Sequence, residues 1–235
     1  MNYVLLEPGD FSAEDRVRLD GRRLRHVREI LKCTVGDEVR IGVINGSIGR
    51  GRIERVDTDS LEMSVRLDSL PPEPLPLRLI LALPRPKVLN RTIAAAASMG
   101  IREIDLINSW RVEKSYWKSP RLAAENLRMH SILGLEQAGD TVLPAIRLHR
   151  LFTPFVRDEL PGIISGRLAL LAQPGGTTEA PRQIVQPAVL AIGPEGGFIE
   201  REVDTFCEIG FTPVTLGTRI LRVETAVACL VGRLF

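Results

Sequence analysis

The chain is short of the features that would assign it to a secreted, membrane or metal-binding class. It has three cysteines, Cys33, Cys207 and Cys229, far apart and odd in number. They form neither a zinc-ligand spacing nor a disulfide framework, so a reducing compartment is expected. The histidines His26, His130 and His149 are isolated from one another, and no metal site is expected. No apolar run approaches the roughly 20 residues that a membrane span needs. The start, Met1 to Pro8, is too short and turns acidic too soon, at Glu7, to be a signal peptide. The expectation is a cytoplasmic protein with no membrane partner. A net charge of +2 is too small to argue for nucleic acid by itself. Gly46 to Gly51 holds glycines but lacks the G-x-x-x-x-G-K-[ST] phosphate loop, and reads as part of a hairpin.

What is present is an ordinary globular composition, 44% apolar and 26% charged over 235 residues. That length allows one large or two small domains. Asn2–Glu7 reads as a first strand. Arg16 to Lys32 carries seven Arg or Lys against two Asp or Glu. Leu24, Val27, Ile30 and Leu31 have helical spacing, so its second half predicts an amphipathic helix with a basic face. Arg22, Arg23, Arg25 and Arg28 on that face suit phosphate contact, and a merely solvated face is the plainer alternative. Glu38–Ile44 alternates, Asn45-Gly46 follows, and Ile48–Val56 continues, which is a strong hairpin signal. Leu61–Leu67 alternates again. Residues 1–70 thus predict a small β-rich barrel with one helix. Pro71, Pro72, Pro74 and Pro76 make a stiff linker over 71–76.

Residues 77–235 read differently. Leu77–Leu83, Ile101–Ile107, Arg167–Gln173 and Ala188–Ile192 are apolar runs without alternation, as in strands covered on both faces. The alanine-rich Lys87–Met99 between the first two predicts a helix, and hence a parallel sheet. Pro120–Ala138 predicts a long helix. Glu200–Ile209 predicts another, closed by Gly210. Two glycine loops stand near the end, Gly193-Pro194-Glu195-Gly196-Gly197 and Leu216-Gly217-Thr218-Arg219-Ile220-Leu221-Arg222. Each follows a strand-like run and precedes a helix. In open α/β sheets ligands sit beyond the carboxyl ends of strands, where both loops would lie. Asn108–Lys118 holds both tryptophans, Trp110 and Trp117, beside Arg111 and Lys114. Rings beside cations suit a stacked base near phosphates; capping the core or a subunit interface is the alternative.

These residues carry a resemblance. GPEGGF at 193–198, then LG-x-RILR-x-ETA at 216–226 and a terminal helix, resembles the SPOUT methyltransferases. Within them it is most similar to the type that methylates N3 of a uridine in 16S ribosomal RNA (the RsmE type). Lys87, Ser98-Met99-Gly100-Ile101, Glu136-Gln137 and Val142-Leu143-Pro144 extend the likeness over nearly the whole chain. The resemblance implies an α/β fold: a PUA-like β-barrel that holds RNA, then a SPOUT domain with a parallel sheet and a deep trefoil knot. It implies S-adenosyl-L-methionine as cofactor, contacted by Leu171, Gly193, Glu195, Gly196, Gly197, Leu216, Gly217, Ile220, Leu221 and Arg222. It implies a homodimer, with 16S rRNA or the small ribosomal subunit as partner. Loss of the N3 proton needs a base or a cation that stabilises the uracil anion. Arg222, Arg111 and Glu195 are the candidates. Arg222 paired with Glu224, and Glu195 capping the next helix, are the plainer roles for these two. The chain departs from the family pattern at Asp140, Ile199 and Val223: an acid replaces a basic residue, and two apolar residues replace hydroxyls. Action on a different RNA, a non-catalytic RNA-binding relative, and a site for another nucleotide stay open.

Overall fold

The computed structural model describes residues 3–235, so Asn2 of the first expected strand lies outside the described residues. The chain divides into two compact units. One is Met1–Glu73 with Ile132–Leu143; the other is Pro74–Ser131 with Pro144–Phe235. A cut at the proline-rich linker alone would have left Ile132–Leu143 in the second.

The first unit is built on a six-stranded mixed sheet. Its strands are β1 (Tyr3–Leu6), β2 (Phe11–Ala13), β3 (Arg16–Leu19), β4 (Glu38–Val43), β5 (Ile48–Val56) and β6 (Leu61–Ser69). The order is β1-β4-β5-β6-β3-β2, parallel only between β1 and β4. Period-2 alternation puts Val17, Leu19, Val39, Ile41, Ile53 and Met63 inside and arginines outside. Asn45 takes φ +59° in the β4–β5 turn, which an asparagine tolerates. Gly49 is required by its neighbour: a Cβ there would collide with the Arg66 carbonyl across β5 and β6.

The basic segment is only partly the expected helix. Arg16–Leu19 is a strand, Gly21–Arg25 is α1, and His26–Leu31 widens into a π-helical turn that ends at Lys32 with φ +55°. Leu24 and Val27 reach the core and Leu31 packs against it, but Ile30 is 66% exposed, because the π-helical turn shifts the register of the expected apolar face. The segment Ile132–Leu143 clasps the β4–β5 turn. Thr141 Oγ1 donates to the Gly46 carbonyl at 2.6 Å, Asn45 N to the Thr141 carbonyl at 2.9 Å, and Leu143 N to Asn45 Oδ1 at 2.9 Å.

The second unit is a wholly parallel sheet of β7 (Leu77–Ala82), β8 (Glu103–Ile107), β9 (Ala145–His149), β10 (Leu168–Ala172), β11 (Ala188–Ile192) and β12 (Thr212–Val214). The order is β12-β10-β11-β7-β8-β9. β11 is buried at all five positions, as its unbroken apolar run requires. β9 was not legible in the sequence, because its residues alternate weakly and are half exposed at the sheet edge. The helices are α2 (Pro86–Ser98), α3 (Ala124–Ala138), the short α4 (Phe152–Pro154) and α5 (Leu160–Ile164), α6 (Glu200–Glu208) and α7 (Val223–Leu234). α3 starts four residues later than the sequence implied, after a 3-10 turn at Pro120–Leu122. Gly100 and Gly210 end α2 and α6 with φ of +78° and +109°.

Charge is buried in this sheet at one place. Asp105 in β8 has no exposed surface, and it accepts from Arg78 Nε in β7 at 2.6 Å. Its other oxygen lies 2.8 Å from His149 Nε2 in β9. Adjacent strands thus each supply one member of a packed hydrogen-bonded triad.

Candidate cofactor and substrate site

Three turns at the carboxyl ends of neighbouring strands form one cavity. After β11, Gly193 sits so tightly that a Cβ would lie 3.0 Å from Phe198 N and 3.1 Å from Gly197 Cα. Gly197, at φ +72°, closes the turn by donating to the Pro194 carbonyl at 2.7 Å. After β12, Gly217 at φ +105° follows Thr215, whose hydroxyl donates to the Gly217 carbonyl at 2.9 Å. After β10, Gln173-Pro174 turns over the same space. Ile192, Val214, Val223, Ala226 and Leu230 give the cavity apolar walls, and Glu195 and Arg219 are its ionisable lining. Aliphatic walls with a rim of backbone groups suit a flat heteroaromatic ring with polar edges and attached hydroxyls.

Of the ten residues assigned to a cofactor in the sequence, Gly193, Glu195, Gly197, Leu216, Ile220 and Leu221 line this cavity. Leu171 is fully buried in β10, one residue short of lining Ala172. Gly196 lies under Arg111, whose Cδ would be 3.0 Å from a Cβ at that position. Gly217 and Arg222 are exposed beside the lining residues. Gln173, Pro174 and the inward face of α7 complete the lining beyond the residues assigned in the sequence. The signal that could have found them is that three turns, not two, follow parallel strands of one sheet.

The three residues proposed for chemistry hold different positions. Arg222 is the N-cap residue of α7 and is exposed. It has no acid partner among the described residues, because Glu224 pairs instead with Arg91 at 3.3 Å. Glu195 does not cap α6. Its carboxylate accepts the backbone N–H of Arg85, the N-cap residue of α2, at 3.0 Å. Arg111 donates to the Gly196 carbonyl, so its guanidinium rests on the glycine loop. The N-terminus of α6, where Ile199 offers no hydroxyl, takes its cap from Glu202. That carboxylate accepts Ile199 N at 3.1 Å and Trp110 N at 2.8 Å.

The basic segment of the first unit does not present four free arginines. Arg22 is held by both oxygens of Glu136, at 2.8 and 2.9 Å. Arg23 is gripped by Asp10, with Nη2 2.6 Å from Oδ1. Arg28 donates to the Thr58 carbonyl at 3.1 Å and remains exposed. Arg25 is exposed with no acid partner among the described residues. Asp140 is buried, and its Oδ1 accepts Thr141 N at 2.6 Å and Val142 N at 3.1 Å. Beside it, burial and the Asp140 charge push the Tyr3 hydroxyl up to about 12, against the pull of Arg40. The acid at 140 therefore fixes a turn within the first unit.

Residues 71–234 match the RNA methyltransferase domain family. The chain belongs to that family. It is 33% identical over 213 residues to a Treponema pallidum protein named ribosomal RNA small subunit methyltransferase E, covering 88% of this chain and 79% of the relative. A Borreliella burgdorferi protein, ribosomal RNA small subunit methyltransferase E 1, is 26% identical, over 96% of this chain and 94% of the relative. Among solved structures, ribosomal RNA small subunit methyltransferase E from Neisseria gonorrhoeae, bound to S-adenosyl methionine, superposes with a TM-score of 0.78. It is 26% identical, and 98% of this chain and 95% of that one are covered. The three-turn cavity lies within the matched residues and is the candidate site for a cofactor.

Proposed function

We propose that this protein transfers the methyl group of S-adenosylmethionine to N3 of a uridine in 16S ribosomal RNA of the small subunit. The observation that carries the reading is the cavity beyond β10, β11 and β12, in a chain so similar to a relative solved with that cofactor. The cavity residues fit the group. Gly193 lets the turn fold tightly on its own backbone at Gly197 and Phe198, and the aliphatic walls from β11, β12 and α7 match a purine face. Gly193, Gly197, Leu216, Ile220 and Leu221 would hold it, with Gln173 and Pro174 closing the side. Once bound, the cofactor would supply an electrophilic methyl group on a sulfonium.

The chain's own residues handle the uracil. N3 must lose its proton as it becomes a nucleophile, leaving an anion spread over the ring carbonyls. Arg222 is exposed, charged and unpaired with any described acid, at the rim of the cavity. It stabilises that anion where charge develops. Arg111 braces the glycine loop and adds positive potential. Glu195 has one oxygen on the start of α2, which orients the loop, and leaves the other to receive the proton or position the base.

The same reading extends to the fold and assembly. β11 is threaded between β7 and β10, an order compatible with the deep trefoil knot of the SPOUT family. The mixed sheet of the first unit fits a PUA-like barrel that holds RNA, with the exposed Arg25 and Arg28 among its cations that have no acid partner among the described residues. Ile220, 81% exposed at the cavity rim, suits cover by a second subunit in a cytoplasmic homodimer. The test is transfer of labelled methyl from S-adenosylmethionine to small ribosomal subunits, compared with bulk transfer RNA, both from cells lacking the protein. Label at a uridine of the small subunit is the expected result. Label confined to other RNA would overturn the substrate, and no label at all would overturn the activity.

A further inference from the structure

The Asn108–Lys118 connection separates its two tryptophans. Trp117 is buried, with Nε1 donating to Asn108 Oδ1 at 2.9 Å and Arg150 over its ring at 5.4 Å. Trp110 is 79% exposed. Its backbone is nonetheless fixed, because its N–H is held by Glu202 in the first turn of α6. A rigid backbone presenting a bare indole forgoes the burial that ordinarily repays an aromatic side chain. The ring stands on the wall of a groove of about 770 Å³ that shares no lining residue with the cofactor cavity.

Val112, Phe152 and Ile199 give the groove an apolar floor, and its charged lining is mostly cationic. Lys114 and Arg201 line it without an acid partner among the described residues. Arg157 also lines it, 3.5 Å from Glu208 in an exposed pair that is weak in water. Glu202, the one acid on the wall, has its two oxygens spent on backbone amides. Ser109 also lines the groove. It is 4% exposed, and its hydroxyl has no hydrogen-bond partner among the described residues. An orphaned buried hydroxyl costs stability unless something completes it.

We propose that this groove holds an unpaired nucleotide of the substrate RNA next to the methylated one, its base stacked on Trp110 and its phosphates on Lys114 and Arg201. The proposal rests on the RNA reading above. An aromatic platform among unpaired cations is the arrangement that binds single-stranded nucleic acid, because every base has a π-face and every linkage a charge. Arg111, the next residue after Trp110, rests on Gly196 of the glycine loop, so the platform adjoins the reacting end of the cavity. The bound nucleotide supplies Ser109 with its missing partner.

The experiment uses the full chain, a short oligouridylate, and the variants Trp110→Ala, Trp110→Phe and Ser109→Ala. Oligouridylate should quench the fluorescence of the exposed Trp110, a signal absent from Trp110→Ala, where only the buried Trp117 remains. Trp110→Ala should weaken oligouridylate binding and raise KM for small subunits by about tenfold or more, with kcat and S-adenosylmethionine affinity unchanged. Trp110→Phe should restore most of it, and Ser109→Ala should weaken binding a few-fold. Methylation by the wild type with unchanged KM in Trp110→Ala would overturn the groove and leave the activity standing. A Trp110→Ala protein that changes oligomeric state but keeps its RNA affinity would make the groove a protein contact and overturn the proposal. Should the wild type methylate no RNA, quenching of Trp110 by oligouridylate would still support a nucleotide site, and its absence would overturn both.

Discussion

The two sheets use the same residue types to opposite ends. In the first unit, glycine is where protein meets protein. Gly49 admits the Arg66 carbonyl, and a Cβ at Gly42 would strike Thr141 and the Tyr3 hydroxyl. Two arginines of its basic segment are answered by acid, Arg22 by Glu136 and Arg23 by Asp10. At the carboxyl ends of β10 to β12, Gly197 and Gly217 face open space instead, although Gly193 packs on the loop's own backbone, and Arg222 has no acid partner among the described residues. The difference teaches how to weigh the residues. A basic or glycine-rich stretch says little by itself. What marks a site is a cation left without its acid, or a glycine whose missing side chain is replaced by a cavity.

The comparison breaks most strongly at the far side of the parallel sheet. Asp105 is wholly buried and answers both Arg78 and His149. Asp105→Ala leaves the largely buried Arg78 guanidinium with Glu103 as its remaining acid, at 3.0 Å, and removes the partner of His149 Nε2, at a cost of about 1–3 kcal/mol. Chemical denaturation should show that loss, and an unchanged midpoint would mean that the triad is worth no more than an exposed pair. Arg222→Ala should behave in the opposite way. With no partner to strand, stability and cofactor affinity stay constant while methyl transfer falls by about 10²-fold, the size of losing one anion-stabilising group. Unchanged turnover would remove Arg222 from the chemistry.

These outcomes follow from what was and was not legible in the sequence. Apolar runs marked five of the six parallel strands, the run before the second glycine loop included, because burial leaves a plain mark. The edge strand β9 left none. The hairpin at Asn45-Gly46 was legible because turn chemistry is local. The clasp of Thr141 and Leu143 over that turn was not, since it joins residues about a hundred positions apart. Of the candidate site, the two glycine loops could be read from composition and order, and the likeness of their motifs pointed to the cofactor. The pairing of arginines could not be read. Nothing near Arg22 in sequence announces Glu136, and nothing near Arg222 announces that Glu224 will turn to Arg91.

The basic segment itself provides a finer contrast, between neighbours three residues apart. Arg22→Ala leaves Glu136, whose side chain is 12% exposed, without its fork of hydrogen bonds. That should cost about 1–2 kcal/mol of stability, after discounting the partial exposure of the arginine. Arg25→Ala should leave the unfolding midpoint in place and flatten the salt dependence of RNA binding by roughly one phosphate contact. If both variants alter only RNA binding, the Glu136 pair is not structural in solution. If neither alters it, the segment is a solvated face.

The smallest effect concerns a group that is neither paired nor free. Asn126 Nδ2 donates to Asn90 Oδ1 at 2.9 Å, so Asn90 turns its own amide nitrogen to His130 Nε2, 2.6 Å away. That nitrogen must keep its lone pair to accept. Burial first, and the Arg121 charge second, hold the His130 pKa below its ordinary value of 6.5. The folded protein therefore binds this proton less readily than the unfolded chain. The stabilising contribution is complete above pH 6.5 and is lost as the pH falls through the lowered folded value. His130→Gln, which accepts the same hydrogen bond and does not titrate, should remove that slope. Thermal unfolding of both proteins from pH 7.5 to 5.5 provides the check. Parallel curves would mean that the asparagine chain tolerates an imidazolium, and that the second unit resembles the first in answering its charges locally.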